Sequence, residues 1–201
     1  MTRGLFVVFE GVDACGKSTQ ARRVAAARGA RFVFEPGDTE LGAQLRTVLL
    51  DAKVPMSAST EALLMLADRS HHVTTVIEPT LQAGTSVVAD RFSHSTLAYQ
   101  GYGRGADLER LRVATDLAIG SCRPELTILL DVPLEVANER RARDHRDRFE
   151  SADLAFHERV RAGYLAMAAA DPSAWAVLDA AGPPEEVDAA VDALLDCLAW
   201  P

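Results

Sequence analysis

Lysine is almost missing from this 201-residue chain: of 21 basic residues only Lys17 and Lys53 are lysine, and the rest are arginine. A position that does keep lysine is therefore informative. Positive charge is short overall, with 29 acidic residues against those 21 and a net charge of -8, so no broad basic surface exists to hold nucleic acid through its phosphates. Cysteine is scarce too. Cys15, Cys122 and Cys197 show neither CxxC spacing nor a nearby histidine pair, which argues against a disulfide framework and a zinc site. No apolar run approaches the roughly 18 residues of a membrane span, and no charged leader with a cleavage site precedes the first strand pattern. The expectation is a cytoplasmic protein with reduced thiols and no membrane contact. At 48% hydrophobic content the chain can bury one substantial core, which predicts a single domain over residues 1–201 without a linker.

Short apolar runs rich in β-formers predict strands at 5–10, 31–34, 86–90, 126–131 and 174–178. Helical patterns fill the gaps at 18–28, 39–50, from 60 towards 82, at 108–119 behind Asp107 as cap, at 134–143 opened by Pro133, and at 153–170. Gly120 and Gly182 read as helix stops. Strands alternating with helices predict an α/β fold, a three-layer α/β/α sandwich on a five-stranded parallel sheet of the P-loop NTPase type.

The segment Gly11-Val12-Asp13-Ala14-Cys15-Gly16-Lys17-Ser18 fits GxxxxGK[ST], and it lies between a predicted strand and a predicted helix, the context the motif requires. Its glycines let backbone N–H groups wrap a phosphate at a helix N-terminus. Lys17 would reach the β/γ oxygens and the Ser18 hydroxyl would meet Mg²⁺. Thr19 continues the helix start and could cap it or touch the α-phosphate. Cys15 stands beside Lys17 and the helix N-terminus, and both lower a thiol pKa, so a reactive thiol shielded by bound nucleotide is expected.

Further segments follow in one order: EPGDTELGAQLR, the ADR triplet at 67–69, DRFSHSTLAYQGYGRG, PELTILLDVP and DRFESADLAFHERVRAGYL. Together with GVDACGKST this ordered set resembles bacterial thymidylate kinase, within the P-loop nucleoside monophosphate kinases. The resemblance runs through nearly the whole chain and implies an enzyme that moves the γ-phosphoryl group of ATP to dTMP with Mg²⁺, in dTTP synthesis. It implies that Asp13 faces the monophosphate, that Asp90 joins Ser18 at the metal, and that Arg91 and Arg46 clamp phosphate. By the same resemblance Glu35 and Pro36 would form a rigid turn lining the acceptor pocket, and Thr96, Tyr99 and Gln100 would read the thymine and its sugar, with Arg69 at a thymine carbonyl. A lid near 140–150, rich in arginine, would close over the triphosphate, and its best candidates for the transferring phosphate are Arg143 and Arg148. The resemblance also implies a homodimer, for which the apolar faces at 60–77 and 108–119 are available.

The chain departs from the family's pattern in two places. Met65 stands where the family usually has phenylalanine stacking on thymine, and Phe34 where it usually has arginine. A thioether contact is weaker and less directional than ring stacking; Phe34 or Phe92 could compensate. Two other readings stay open: a kinase for deoxyuridylate or deoxycytidylate, and a nucleotide-dependent switch. Arg46, Arg69, Arg91 and Gln100 favour an acceptor pocket over a switch. The histidines form no site in this reading: His71 and His72 point in different directions, and His94 is a solvated loop residue.

Overall fold

A computed structural model describes residues 2–140, 148–149 and 153–200 of the chain. Five strands, β1 (Phe6–Glu10), β2 (Arg31–Phe34), β3 (Val87–Asp90), β4 (Leu126–Asp131) and β5 (Trp175–Asp179), form one all-parallel sheet in the order β2-β3-β1-β4-β5. The crossovers are α1 (Lys17–Arg28), α2 (Glu40–Leu50), α3 (Ala58–His72), α4 (Glu78–Gln82), α5 (Ser93–Thr96), α6 (Leu108–Ile119), α7 (Leu134–Arg140) and α8 (Leu154–Ala170), and α9 (Pro184–Leu195) closes the chain.

The two-residue period of β1 explains the layering. Val7 and Phe9 point into one core with Val24, Tyr164 and Val191, while Phe6 and Val8 point into a second with Ile77, Leu81 and Phe92. Every residue of β1 is buried, as a central parallel strand covered on both faces must be. The chain leaves β1 for β2 at one edge, returns through β3 beside β1, and then crosses to β4 on the other side. That reversal opens a crevice at the carboxyl ends of β1, β3 and β4, the place where open parallel sheets bind ligands.

Four helix starts, those of α2, α3, α6 and α8, follow from side-chain caps. Thr39 accepts from the Gly42 N–H, Asp107 from the Glu109 and Arg110 N–H groups, and Asp153 from the Phe156 N–H, each starting the helix behind it. The long helix expected from 60 to 82 begins at Ala58, behind a Ser57 cap, and is divided by a π-turn at Val73–Ile77. Pro79 supplies the physical reason: it has no N–H for the carbonyl four residues back, and a widened turn absorbs the mismatch before α4 resumes. A second π-turn, Leu97–Gly103, continues α5. Gly120 ends α6 as expected, but Gly182 ends no helix: it lies in the turn between β5 and α9. β5 starts one residue later than expected, at Trp175. Helix α7 reaches Arg140, and its expected continuation to 143 lies outside the described residues.

Candidate active site

The phosphate loop runs from the end of β1 into α1. Gly16 caps the helix with φ 98°, a conformation that costs a side chain dearly and glycine little, and as glycine it puts no capping side chain over the start of α1. Lys17 is 6% exposed; its Nζ donates to the Val12 carbonyl at 3.2 Å and stands 3.7 Å from Asp13. Ser18 donates to the Asp90 carboxylate, which parallel pairing brings level with Phe9, just before the loop. The other Asp90 oxygen is buried and takes no hydrogen bond among the described residues. A serine hydroxyl and an orphaned carboxylate oxygen are hard donors, the kind Mg²⁺ accepts while keeping waters and phosphate oxygens for the rest of its shell.

Two cavities flank this loop. The larger, about 410 Å³, lies on the side of α2 and α3, and its walls bring together Asp13, Lys17, Ser18, Phe34, Glu35, Pro36, Arg46, Met65, Arg69, Asp90, Arg91, Thr96, Tyr99 and Gln100. The smaller, about 310 Å³, lies on the other side, against Ala14, Cys15, Gly16, Thr19, Arg140 and the turn before α9. Residues drawn from distant segments of the sequence thus converge on one loop.

In the wall of the larger cavity, Arg91 holds a left-handed backbone conformation, φ 72°, with its N–H donating to the Phe9 carbonyl at 2.9 Å. Its guanidinium pairs with Asp13 and donates to Tyr99 Oη at 3.0 Å, while Tyr99 Oη donates to Asp13 at 2.9 Å. Burial pushes the Tyr99 phenol well above its ordinary range despite the nearby Arg91 charge, which keeps it a donor. Behind Arg91, Glu10 accepts from the Phe92 and Ser95 amides and from the Ser95 and Tyr164 hydroxyls. Burial raises its pKa, opposed by Arg91.

The floor is a buried ion network. Arg69, 2% exposed, donates to Glu35 at 2.8 Å, to Thr96 Oγ1 at 2.7 Å and to the Phe92 carbonyl at 2.9 Å. The resemblance puts Arg69 at the base; its guanidinium is also the main partner of Glu35, so part of its donor capacity is structural. Burial opposes the Glu35 charge, yet Arg69 and His72 outweigh it and hold the carboxyl below its usual range. The cis Glu35–Pro36 bond and Gly37 then turn the chain towards α2. Gly37 has φ 114°, and a side chain there would meet Arg46, whose Nη1 donates to the Pro36 carbonyl at 2.7 Å. Arg46 also lies over the Phe34 ring at 5.9 Å. Phe34 therefore faces the cavity, whereas Phe92 is buried against Phe6.

Several expectations need correction. Cys15 is no activated thiol: at 2% exposure, burial raises its pKa more than Lys17 lowers it. Native-state alkylation should label the exposed Cys197 first, with Cys15 slower by roughly tenfold or more. Peptide mapping of early adducts checks this, and inactivation that tracks Cys15 labelling would refute it. Arg148 is engaged elsewhere: its guanidinium donates to the Leu49, Asp51 and Val54 carbonyls at and just beyond the carboxyl end of α2, where a helix favours cations. Arg143 lies outside the described residues. His94 is a helix residue packed against Trp175, ring centroids 4.5 Å apart, and burial pulls its pKa down to about 4.

Some residues escaped sequence reasoning. Phe149 lines the larger cavity and meets Tyr99 edge-on at 5.6 Å. His72 bridges Glu35 at 3.0 Å and Asp38 at 3.2 Å. Burial opposes its charge, but those two carboxylates win and raise its pKa to about 9 from 6.5. Because the folded value is the higher, this stabilisation is complete below pH 6.5 and is lost as pH rises through about 9. Asp68, pushed up to about 6 by burial and Glu35, likewise loses its contribution as pH rises, but between 3.8 and 6, so the windows separate. The urea midpoint should fall between pH 6.5 and 9 in the wild type and stay flatter in His72→Gln; parallel curves would contradict this.

A parallel sheet with a glycine-wrapped phosphate loop, a hard-oxygen pair beside it and a separate polar cavity on the far side defines a P-loop phosphotransferase with its own acceptor site. Comparison with known proteins narrows the class. The family model described as thymidylate kinase matches residues 9–191, and the chain belongs to the thymidylate kinase family. Thymidylate kinase of Desulfovibrio desulfuricans is 47% identical over 197 residues, covering 91% of each chain. That of Cupriavidus necator is 48% identical over 186 residues, covering 89% of this chain and 91% of the relative. The crystal structure of thymidylate kinase from Ehrlichia chaffeensis superposes with a TM-score of 0.79 at 30% identity, covering 96% of this chain and 99% of that one.

Proposed function

We infer that this chain transfers the γ-phosphoryl group of ATP to a phosphate oxygen of dTMP, giving dTDP and ADP. The observation that carries this reading is the placement of one phosphate loop between two cavities, the larger of them walled by Arg69, Thr96 and Gln100. ATP would lay its triphosphate on the loop and its base in the smaller cavity; dTMP would fill the larger one with its phosphate towards Arg46 and Arg91.

The acceptor phosphate is already an anion at neutral pH, so no strong base is needed, and positioning with charge neutralisation does the catalytic work. Lys17 would hold the β and γ oxygens. Asp13, kept in place by Arg91 and Tyr99, would fix the sugar end of the acceptor, with the Tyr99 ring beside it. Ser18 and Asp90 would hold Mg²⁺, which when bound neutralises charge on the β and γ phosphates. Met65 lines the same cavity and would meet the base in place of a ring. Arg143 would supply positive charge from the lid.

Among the described residues no helix is long and apolar enough to cross a membrane. The reading places the enzyme in the cytoplasm, as a single domain and as a homodimer. Leu63 on α3 and Val113 and Leu117 on α6, 64%, 68% and 85% exposed, support an apolar dimer face.

An ADP-release assay with MgATP and dTMP, deoxyuridylate, deoxycytidylate or deoxyguanylate tests the acceptor. Preference for dTMP is expected; faster turnover with another monophosphate would move the specificity to that base.

A further inference from the structure

The amide of Gln100 is not free to turn. Gln100 is 1% exposed, and its Nε2 donates at 2.8 Å to Oε1 of Glu61, a carboxylate 2% exposed in the first turn of α3. A carboxylate only accepts, so it takes the NH₂ end of the amide and turns the carbonyl end away. Arg104 closes the other side, with Nε 3.4 Å from Oε1 and Nη2 3.5 Å from Oε2 of the same carboxylate. Gln100 lines the larger cavity, and its carbonyl oxygen takes no hydrogen bond among the described residues. Thr96 Oγ1 already accepts from Arg69, which leaves the threonine proton to donate. The wall thus offers an acceptor from Gln100 beside donors from Thr96 and Arg69.

We propose that Glu61 is a specificity-positioning residue: clamped by Arg104, it fixes the Gln100 amide with its oxygen towards the base, so that the site accepts a ring N3–H and rejects an unprotonated N3. This rests on the proposed dTMP acceptor. Thymine carries a proton on N3 between two carbonyls, whereas cytosine has a bare N3 beside an amino group. A freely turning amide would serve either pattern; a fixed one leaves a buried acceptor facing a lone pair when cytosine enters.

The test is the ratio of kcat/KM for dTMP to kcat/KM for dCMP. Turnover of dTMP by the wild type tests the functional reading itself; the change of ratio among variants tests Glu61. Glu61→Leu should lower the ratio about tenfold or more, because the amide can then turn. Glu61→Gln, which keeps an oxygen where both Gln100 and Arg104 donate, should restore most of it. An equal loss with both acceptors would make Glu61 merely structural and overturn the proposal. Since Glu61→Leu could fail to fold, the exchanged pair Glu61→Gln with Gln100→Glu gives an independent reading: it keeps an acceptor facing the base and a donor behind it. That pair should retain the dTMP preference that Gln100→Glu alone, with two opposed carboxylates, loses; an exchanged pair no better than the single variant also overturns the proposal.

Discussion

Lys17→Ala should lower phosphoryl transfer by about a thousandfold or more while the protein remains folded. The ammonium is buried in the wall of the larger cavity, hydrogen-bonded to the Val12 carbonyl and close to Asp13. Without it Asp13 keeps Arg91 and Tyr99 as partners, and the Val12 carbonyl keeps the Cys15 N–H. Its loss therefore removes charge from the site of transfer rather than support from the fold. ADP release measured beside a thermal melt separates the two. An unchanged melt with transfer lost is the expected pair, and transfer near the wild-type rate would contradict the assigned role.

Arg69→Met should damage both stability and acceptor binding. The Glu35–Arg69 pair is almost wholly buried, and breaking such a pair from one side costs about 3–5 kcal/mol because the remaining charge has no water to turn to. His72 stays on Glu35 and should hold the loss towards the lower end. Thr96 and the Phe92 carbonyl also lose their donor, so the base wall loosens. Urea unfolding at neutral pH should show a clearly lowered midpoint, and the folded fraction should need roughly tenfold more dTMP for half-maximal rate. A midpoint within experimental scatter of the wild type would show that the buried pair is not what holds the Glu35 turn.

Sheet and phosphate loop were legible because their signals are local. The β1 run, with every residue buried, could only be a central strand, and the loop motif needed only that strand and α1 to be placed. The π-turns were not legible, since a proline such as Pro79 announces a disturbance without saying how the helix absorbs it. Side-chain partnerships across helices were harder still. Glu61 reads as an ordinary acidic residue in a first helical turn, favoured there by the helix dipole. A signal was nevertheless present: Glu61, Met65 and Arg69 recur every four residues on one helix, so a wall already placed by its last two members extends to the first. His72 reads as half of an adjacent pair, although a step of three residues forward from Arg69 on the same helix sets it beside Glu35. Cys15 shows the opposite failure. Its neighbours along the chain argued for activation, and only the packing against Gly11 and the surrounding core reveals that burial wins.

The most direct measurement of the central claim follows the phosphate itself. With γ-labelled ATP, Mg²⁺ and dTMP, the label should appear in dTDP in step with ADP; label released only as inorganic phosphate, with dTMP unchanged, would contradict an acceptor site and leave a nucleotide hydrolase or switch.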